Sequence, residues 1–262
     1  MKRVKEKYSI QAVENALNVL EQFKGRKAEL GITELSQNLE LHKNNIFRLL
    51  ATLESRGYIE QNKNNEHYRL GIKALELGRA FLSHTGLIKV AVEKLEELSN
   101  LVNETVYLGI MKKSQVLFIE DWESKQALRV ASRIGERMSP LCTATGKVML
   151  SFYSEEERNK VIKANKFVQY TKNTIMDESA FHEDLKVTHE RGYAIDLEEK
   201  DEGVICIAGP IFNYNDDVVA GITISGPSTR LTEERLKEFY IEHLLETCKR
   251  VSIAIGYTGY TQ

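Results

Sequence analysis

Cysteine is scarce in this sequence. Cys142, Cys206 and Cys248 are the three among 262 residues, an odd number without metal-type spacing. That argues against a disulfide framework and a thiolate metal site, and it fits a reduced, cytoplasmic setting. The six histidines show no paired spacing of the HxxxH kind, so no metal is expected. No stretch approaches the length of a membrane span, and the charged start MKRVKEKYSI leads into no apolar run of export type. A membrane is therefore not an expected partner. Internal repeats and low-complexity tracts are missing as well. Nor is there a large surplus of one charge: the formal net charge is −2, unlike that of a basic tail-type nucleic-acid binder.

Enzyme signatures fail too. Thr145-Gly146-Lys147 matches the end of a phosphate-binding loop. However, Leu141 stands where its first glycine belongs, and Val148 replaces the Ser/Thr that holds magnesium. Cys142 or Cys206 as a nucleophile needs a positioned base. The nearest histidines in sequence, His182 and His189, fall on a predicted surface helix. No catalytic residue and no cofactor is expected.

What is present is organised unevenly. The chain is long enough for two domains with their own cores. The first 75 residues carry 13 Lys and Arg against 9 Asp and Glu, a net of +4, which leaves −6 for the remainder. A basic N-terminal part joined to an acidic remainder suits DNA at one end and something else at the other. In Gly31–Gly57, two amphipathic patterns flank a short break. Ile32, Leu35 and Leu39 fall on one helical face, with Thr33 as its expected cap. Ile46, Leu49, Leu50 and Leu53 fall on another. Leu41 plugs the angle between them, which is the shape of a helix-turn-helix. Opposite the second stripe lie Lys43, Asn44, Asn45, Phe47, Arg48 and Ala51. Lys and Arg neutralise phosphates or read guanine, and Asn pairs with adenine in the major groove. An ordinary solvated helix face is the competing reading. Strand, polar turn and strand then follow over residues 57–70, with Lys63 and three Asn in the turn for a phosphate or minor-groove contact. That completes a winged helix.

Other elements follow in order. Ser9 is the expected cap of a helix over 10–23, with Val13, Ala16, Leu17, Leu20 and Phe23 on its core face; Lys24-Gly25-Arg26-Lys27 ends it. A linker helix is expected over 72–83, more apolar than a surface helix, which favours a dimer. Residues 87–102 read as an amphipathic helix. Strands are expected at 105–110, 116–119 and 127–131, an irregular loop over 139–146, and a helix at 147–152. Ser154 begins another helix, and 177–191 form a further one closed by Gly192. Strands at 193–196, 203–211 and 218–225 precede a long helix over 231–255 capped by Thr232. Helices flanking an antiparallel sheet make this part α+β. The acidic run 197–202 reads as a solvated loop.

With these patterns in place, ITELSQNLELHKNNIFRLLATLESRGYIEQ followed by YRLGIKALELG resembles the winged helix-turn-helix and linker of the IclR family of bacterial transcriptional regulators. LCTATGKVML (141–150), GYAIDLEEKDEGVICIAGPIF (192–212) and AGITISGPS (220–228) are similar to that family's effector domain. The resemblance implies an α+β chain in three parts. These are a winged helix-turn-helix DNA-binding domain (8–70), a linker helix (71–86) and a GAF-like α/β effector-binding and oligomerisation domain with an antiparallel sheet (87–262). Two departures stand out. The family usually has Gly where Glu40 stands, so Glu40 is expected in a backbone angle awkward for a side chain. It often has Ser-Thr where Asn44-Asn45 stand.

For the second domain, Ala144-Thr145-Gly146 precedes a helix whose free N–H groups attract a carboxylate. The resemblance implies a small, often carboxylate-bearing metabolite there. It implicates Ala144, Thr145, Gly146, Asp196, Cys206, Thr223 and Ser225. The family more often has Gly or Ala at the first two positions, so Thr145 narrows the pocket or adds a hydroxyl. Thr223 and Ser225 alternate and so face one side of a strand. Plain structural readings compete: Asp196 bracing a loop, Cys206 as a small buried hydrophobe, Thr223 and Ser225 as ordinary strand residues. The function implied is a ligand-responsive transcription regulator, a repressor in sign. Its expected partners are double-stranded operator DNA, an organic-acid effector, and its own copies in a dimer or tetramer. The alternative is a small-molecule sensor or enzyme whose N-terminal domain binds protein. Steep salt dependence would separate the two, because phosphate contacts release counterions and apolar contacts do not.

Overall fold

The computed structural model describes residues 9–23, 27–77 and 86–259. The chain divides into two compact units, Met1–His84 and Thr85–Gln262. The charged start MKRVKEK, the helix stop at 24–26 and residues 78–83 of the expected linker helix lie outside the described residues; 72–77 are helical.

The first unit packs helices α1 (Gln11–Gln22), α2 (Ile32–Asn38) and α3 (Lys43–Ser55) with the hairpin β1 (Ile59–Gln61) and β2 (Tyr68–Leu70). The strands pair antiparallel with Ile59 opposite Leu70. Leu35, Ile46, Leu50, Leu53, Ile59 and Tyr68 form the core, with Leu41 packed on its edge between α2 and α3. Two capping expectations are corrected. Gly31 and Ile10 occupy the N-cap positions, without side-chain bonds, so neither Thr33 nor Ser9 caps. The core face of α1 holds Ala16, Leu20 and Phe23 as expected, but Val19 joins it in place of Val13 and Leu17. Val19 and Phe23 are buried, whereas Val13 and Leu17 are about half exposed. Helix α1 carries two overlapping apolar stripes, and periodicity alone does not choose between them.

Glu40 has φ of 53°, the left-handed region expected from the missing glycine. Ser36 locks this corner: its hydroxyl donates to Leu41 O at 2.6 Å. A non-glycine residue there costs about 1–2 kcal/mol, against a glycine entropy cost of about 0.5–1 kcal/mol. Glu40→Gly should therefore stabilise this unit by roughly 0.5 kcal/mol, read as a higher urea midpoint. Glu40→Val should lower the midpoint, since a β-branched side chain fits that region worst.

In the second unit, helix α4 (Gly86–Val102) leads into β3 (Thr105–Lys112) and β4 (Gln115–Trp122), then the short β5 (Arg137–Met138). Helices α5 (Ala144–Phe152), α6 (Glu155–Lys163) and α7 (Glu178–Arg191) follow. Strands β6 (Ala194–Leu197), β7 (Val204–Phe212) and β8 (Val218–Pro227) precede a helical turn at Glu233–Arg235 and a π-helical stretch at Leu236–Tyr240, which lead into the C-terminal helix α8 (Ile241–Ala254). The antiparallel sheet runs β5-β4-β3-β8-β7-β6. Helices α4 and α8 cover one face. Helix α5, backed by α7, covers the other. Local chemistry explains several ends. Ser154, Asp177 and Thr232 accept the N–H groups of Glu157, Ala180 and Arg235, and Gly192 closes α7 with φ of 79°.

The expected strand at 127–131 does not form. Its carbonyls are taken by side chains instead: Thr105 Oγ1 donates to Val130 O and Tyr107 OH to Ala131 O. Residues 137–138 take the strand's place beside β4. The loop expected at 139–146 also departs, with a short 3-10 turn at Pro140–Cys142 and α5 starting at Ala144.

Candidate nucleic-acid interface and ligand cavity

Helix α3 presents Lys43, Asn44, Asn45, Phe47 and Arg48 as exposed side chains. Phe47, at 57% exposure, is the large apolar group among them. Among the described residues, none of these side chains takes a hydrogen bond or an ion pair. Elsewhere in the unit, by contrast, Lys27 pairs with Glu34 and Arg69 with Glu60. The N-cap, His42, makes no side-chain cap bond. The N–H groups of Lys43 and Asn44 are therefore open, as an incoming phosphate requires, while that of Asn45 bonds His42 O at 2.8 Å. Lys43, Asn44 and Arg48 thus stand on one solvent-facing end of a helix rooted by Ile46 and Leu50.

The wing is built differently from its reading in the sequence. Lys63 is exposed at its tip, but two of the three asparagines point inward. Asn62 Nδ2 and Asn65 Nδ2 donate to the Glu29 carboxylate at 3.0 and 2.8 Å. Those amides set the shape of the turn and do not reach outward. Glu29, which no motif singled out, is the residue that organises the wing. The bonds from Asn65 and Asn62 hold its carboxyl below the usual carboxylate range.

In the second unit, cross-strand register gathers the expected ligand residues. Asp196 lies opposite Cys206, Cys206 opposite Ser225, and Ser225 opposite Thr105. The next row on this face sets Ala208 opposite Thr223 and Thr223 opposite Tyr107. Above these rows sits the start of α5. Together they enclose a cavity of about 30 Å³ lined by Ala144, Thr145, Asp196, Cys206, Thr223 and Ser225, with Tyr107, Arg133 and Asp201 among its other walls. That volume holds about one water molecule.

Gly146 is not in that lining. Its N–H is taken by Thr143 Oγ1 at 3.3 Å, and a Cβ there would collide with the Pro140 backbone. It is glycine so that α5 can lie against the 3-10 turn. By helix geometry, Ala144 and Thr145 retain the N–H groups without intrahelical acceptors.

Thr145 narrows the cavity in two ways. Its hydroxyl meets that of Thr223 at 2.6 Å, and its methyl lies over Gly109 and Gly221. Cys206 Sγ sits 3.1 Å from Ser225 Oγ. Burial pushes its thiol up to about 12, so it is neutral at ordinary pH and a poor nucleophile. Asp196 Oδ1 accepts the Glu199 N–H at 2.7 Å. Burial, followed by the Glu199 charge, raises its carboxyl to about 7.

The acidic run 197–202 is a partly exposed surface loop, as expected, except that one residue turns inward. Glu199 is 5% exposed and receives a bond from Lys147 Nζ at 2.5 Å. Lys147 is itself 1% exposed. Asp184 Oδ2 lies 2.9 Å from the same ammonium, off the donor direction and without a true hydrogen bond. Burial pulls the Lys147 pKa down, but Glu199 and Asp184 outweigh it and the net direction is up. Glu199 also moves up, because burial and Asp184 outweigh the pull of Lys147. Thr171 and Thr174 hydroxyls hold the Glu198 and Glu199 carbonyls. Glu199 turns inward to Lys147, a cation that α5 places at 1% exposure.

Among the described residues no group of three potential ligands is placed to hold a metal ion. No helix there is long and apolar enough to cross a membrane.

Comparison with known proteins completes the picture. The IclR helix-turn-helix domain family matches residues 12–63. The family described as bacterial transcriptional regulator IclR C-terminal matches residues 79–253. The chain is 36% identical to the HTH-type transcriptional regulator KdgR of Escherichia coli K12 over 252 residues, covering 96% of this chain and 95% of that one. It superposes on the crystal structure of Thermotoga maritima IclR with a TM-score of 0.80 at 28% identity, covering 95% and 100% of the two chains. It also shares the fold of an IclR homolog from Microbacterium hydrocarbonoxydans complexed with 4-hydroxybenzoate. There the TM-score is 0.82 at 20% identity, covering 93% and 98%.

Proposed function

Because the chain belongs to the IclR family, and is thereby a DNA-binding regulator of transcription and not an enzyme, we propose that it is a cytoplasmic repressor governed by a small carboxylate-bearing metabolite. One observation carries the ligand reading. The start of α5, the Asp196 carboxyl and the hydroxyls of Thr145, Thr223 and Ser225 converge on one cavity. Hydroxyls and open N–H groups recognise a carboxylate and its neighbouring oxygens. Asp196, neutral below about pH 7, adds a donor. The Microbacterium protein's aromatic acid supports the class of ligand.

For DNA, Lys43, Asn44, Asn45, Phe47 and Arg48 enter the major groove, and Lys63 meets the backbone. A dimer sets the half-site spacing. Exposed Ile10 at the N-cap of α1, Val13 and Leu17 on it, and Ile72, Leu75 and Leu77 are the apolar positions that support self-association. The effector shifts the population between DNA-competent and DNA-incompetent arrangements by no more than its difference in affinity for the two.

Sites selected from random duplexes provide the test, with binding followed by fluorescence anisotropy. Arg48→Ala should cost about 1–3 kcal/mol on the selected site and relax its sequence preference. Lys43→Ala or Lys63→Ala should weaken all duplexes alike and reduce the slope of log K against log salt by about 1. Unchanged binding to selected and random DNA after Arg48→Ala would remove α3 from the groove. A reporter placed behind a selected site reads the sign: repression without effector, relief with it.

A further inference from the structure

The cavity holds about one water molecule as it stands, so a wall that moves is needed to admit a larger acid. The sheet wall is fixed by its ladder, and α5 is fixed by the contact of Gly146 with Pro140. The remaining wall is a cover made of two segments, and Arg133 and Asp201 join them. Arg133 Nη2 donates to Asp201 Oδ2 at 2.7 Å, and both residues line the cavity. The two side chains are 22% and 43% exposed, so solvent screens this closure and it is a weak one.

The two partners are held unequally. The hydroxyl of Ser132 and the backbone N–H of Arg133 both donate to Asp121 Oδ2 on β4, at 2.5 and 3.1 Å. Asp121 thereby fixes the arginine's segment to the sheet. Asp201 sits in a short flap whose ends are pinned. On one side Glu199 is tied to Lys147. On the other, the Gly203 N–H donates to Glu198 Oε2 at 2.7 Å, with Gly203 at φ of 76°.

Arg133 has capacity to spare even with the Tyr107 hydroxyl as a neighbouring partner. Its Nη1 has the Met138 thioether at 3.3 Å and a Glu136 oxygen at 3.7 Å. A thioether is a weak acceptor, and 3.7 Å is beyond hydrogen-bond reach. A guanidinium is best satisfied by a carboxylate taken with both arms, yet Asp201 uses one.

We propose that Arg133 is the cation that binds the effector's carboxylate, and that Asp201 is an internal stand-in which the effector displaces, freeing the flap 200–202. This rests on the cavity reading above and identifies the group that selects for an anion; Lys200, the other cation in the lining, has its ammonium 3.4 Å over the Tyr170 ring. The exchange is ionic: no bond is made or broken, and Asp201 moves into solvent as a carboxylate. Asp201→Asn should then favour effector binding, because the competing anion is gone while the flap keeps its size.

Three acids and their neutral amides serve as probes: 4-hydroxybenzoate, pyruvate and gluconate against 4-hydroxybenzamide, pyruvamide and gluconamide. Affinity is measured by calorimetry on the full chain. Occupancy of the cavity is read from the slow alkylation of part-buried Cys206 under excess reagent at pH 9, located by mass spectrometry, with buried Cys142 and Cys248 as internal controls. The expected result is that at least one acid binds and protects Cys206 while its amide does not. Arg133→Gln should then weaken that acid at least tenfold, and Asp201→Asn should tighten it several-fold. Binding to Asp201→Asn alone is the same result with a stronger stand-in. An acid that protects Cys206 yet binds Arg133→Gln as well as wild type overturns this inference and leaves the cavity reading intact. An acid that binds without protecting Cys206 overturns the cavity reading itself. If neither wild type nor Asp201→Asn binds any acid, Arg133 is not the effector's cation.

Discussion

Lys147→Met will destabilise the C-terminal unit by about 3–5 kcal/mol at pH 7, the cost of breaking a buried ion pair from one side. Methionine keeps most of the side-chain volume, so a cavity contributes little to the loss. What remains is electrostatic. Glu199 and Asp184 are left facing each other without the ammonium that lay 2.5 and 2.9 Å from them. Glu199 Oε2 is already buried without a partner, so it has no second donor to fall back on. In the variant, one carboxylate has to take up a proton for the fold to persist.

That requirement sets the pH dependence. A carboxyl whose folded pKa is raised contributes stability fully below its unfolded value of about 4.3, and the contribution is lost as pH rises through the folded pKa. Removing Lys147 raises Glu199 further. The deficit of Lys147→Met should therefore be largest at pH 7–8 and shrink toward pH 4–5. In wild type the raised Lys147 contribution is complete below the ordinary lysine value of about 10.4 and fades only above it. Adding Glu199→Gln to Lys147→Met should recover part of the loss. Urea unfolding across pH is the measurement. Equal stability of variant and wild type at pH 7 would mean that the charges are not held together as described.

Asp196→Asn is expected to do the opposite and stabilise. Asp196 is 4% exposed, and its carboxyl is raised to about 7, chiefly by burial. The folded chain keeps this proton up to about pH 7, whereas the unfolded chain releases it near 4. Wild-type stability from this group is complete below about pH 4 and is lost as pH rises through 7. At pH 8 the buried charge costs on the order of 4 kcal/mol at most, and neighbouring charges share part of it. Asparagine retains an oxygen to accept the Glu199 N–H and carries no charge. The variant should be more stable than wild type by about 2–4 kcal/mol at pH 8, and the two curves should converge near pH 4–5. A difference that does not change with pH would show that Asp196 titrates normally.

The helix-turn-helix and the wing were legible because their signals are local. Ile46, Leu50 and Leu53 repeat at helical spacing, and two strand-like runs bracket a polar turn. The caps at Ser154, Asp177 and Thr232 and the stop at Gly192 follow from the hydrogen-bonding habits of single residues. Six of the seven expected ligand residues line one cavity, because strand alternation already placed Thr223 and Ser225 on one side. The misreadings concern choices that neighbours in sequence do not make. On α1, Val13 and Leu17 were expected inward and Val19 took that place. Residues 127–131 had strand-like composition, but Thr105 and Tyr107 captured their carbonyls. Gly146 stood in the right motif, yet its missing side chain makes room for Pro140 and it lies outside the cavity lining.

Charge shows the division most plainly. Read as sequence, Lys147 closed a failed phosphate-loop motif and Glu199 belonged to a solvated run. They meet across 52 residues, as Arg133 and Asp201 meet across 68. Periodicity, caps and turn chemistry act within a few residues, so the sequence by itself determined the element order, the winged helix and the face that carries the ligand residues. The tertiary structure alone decided which charges are buried together, which carboxyl holds a proton and which ion pair covers the cavity. Those outcomes depend on the water that each group loses, and only the assembled sheet and its helices set that loss.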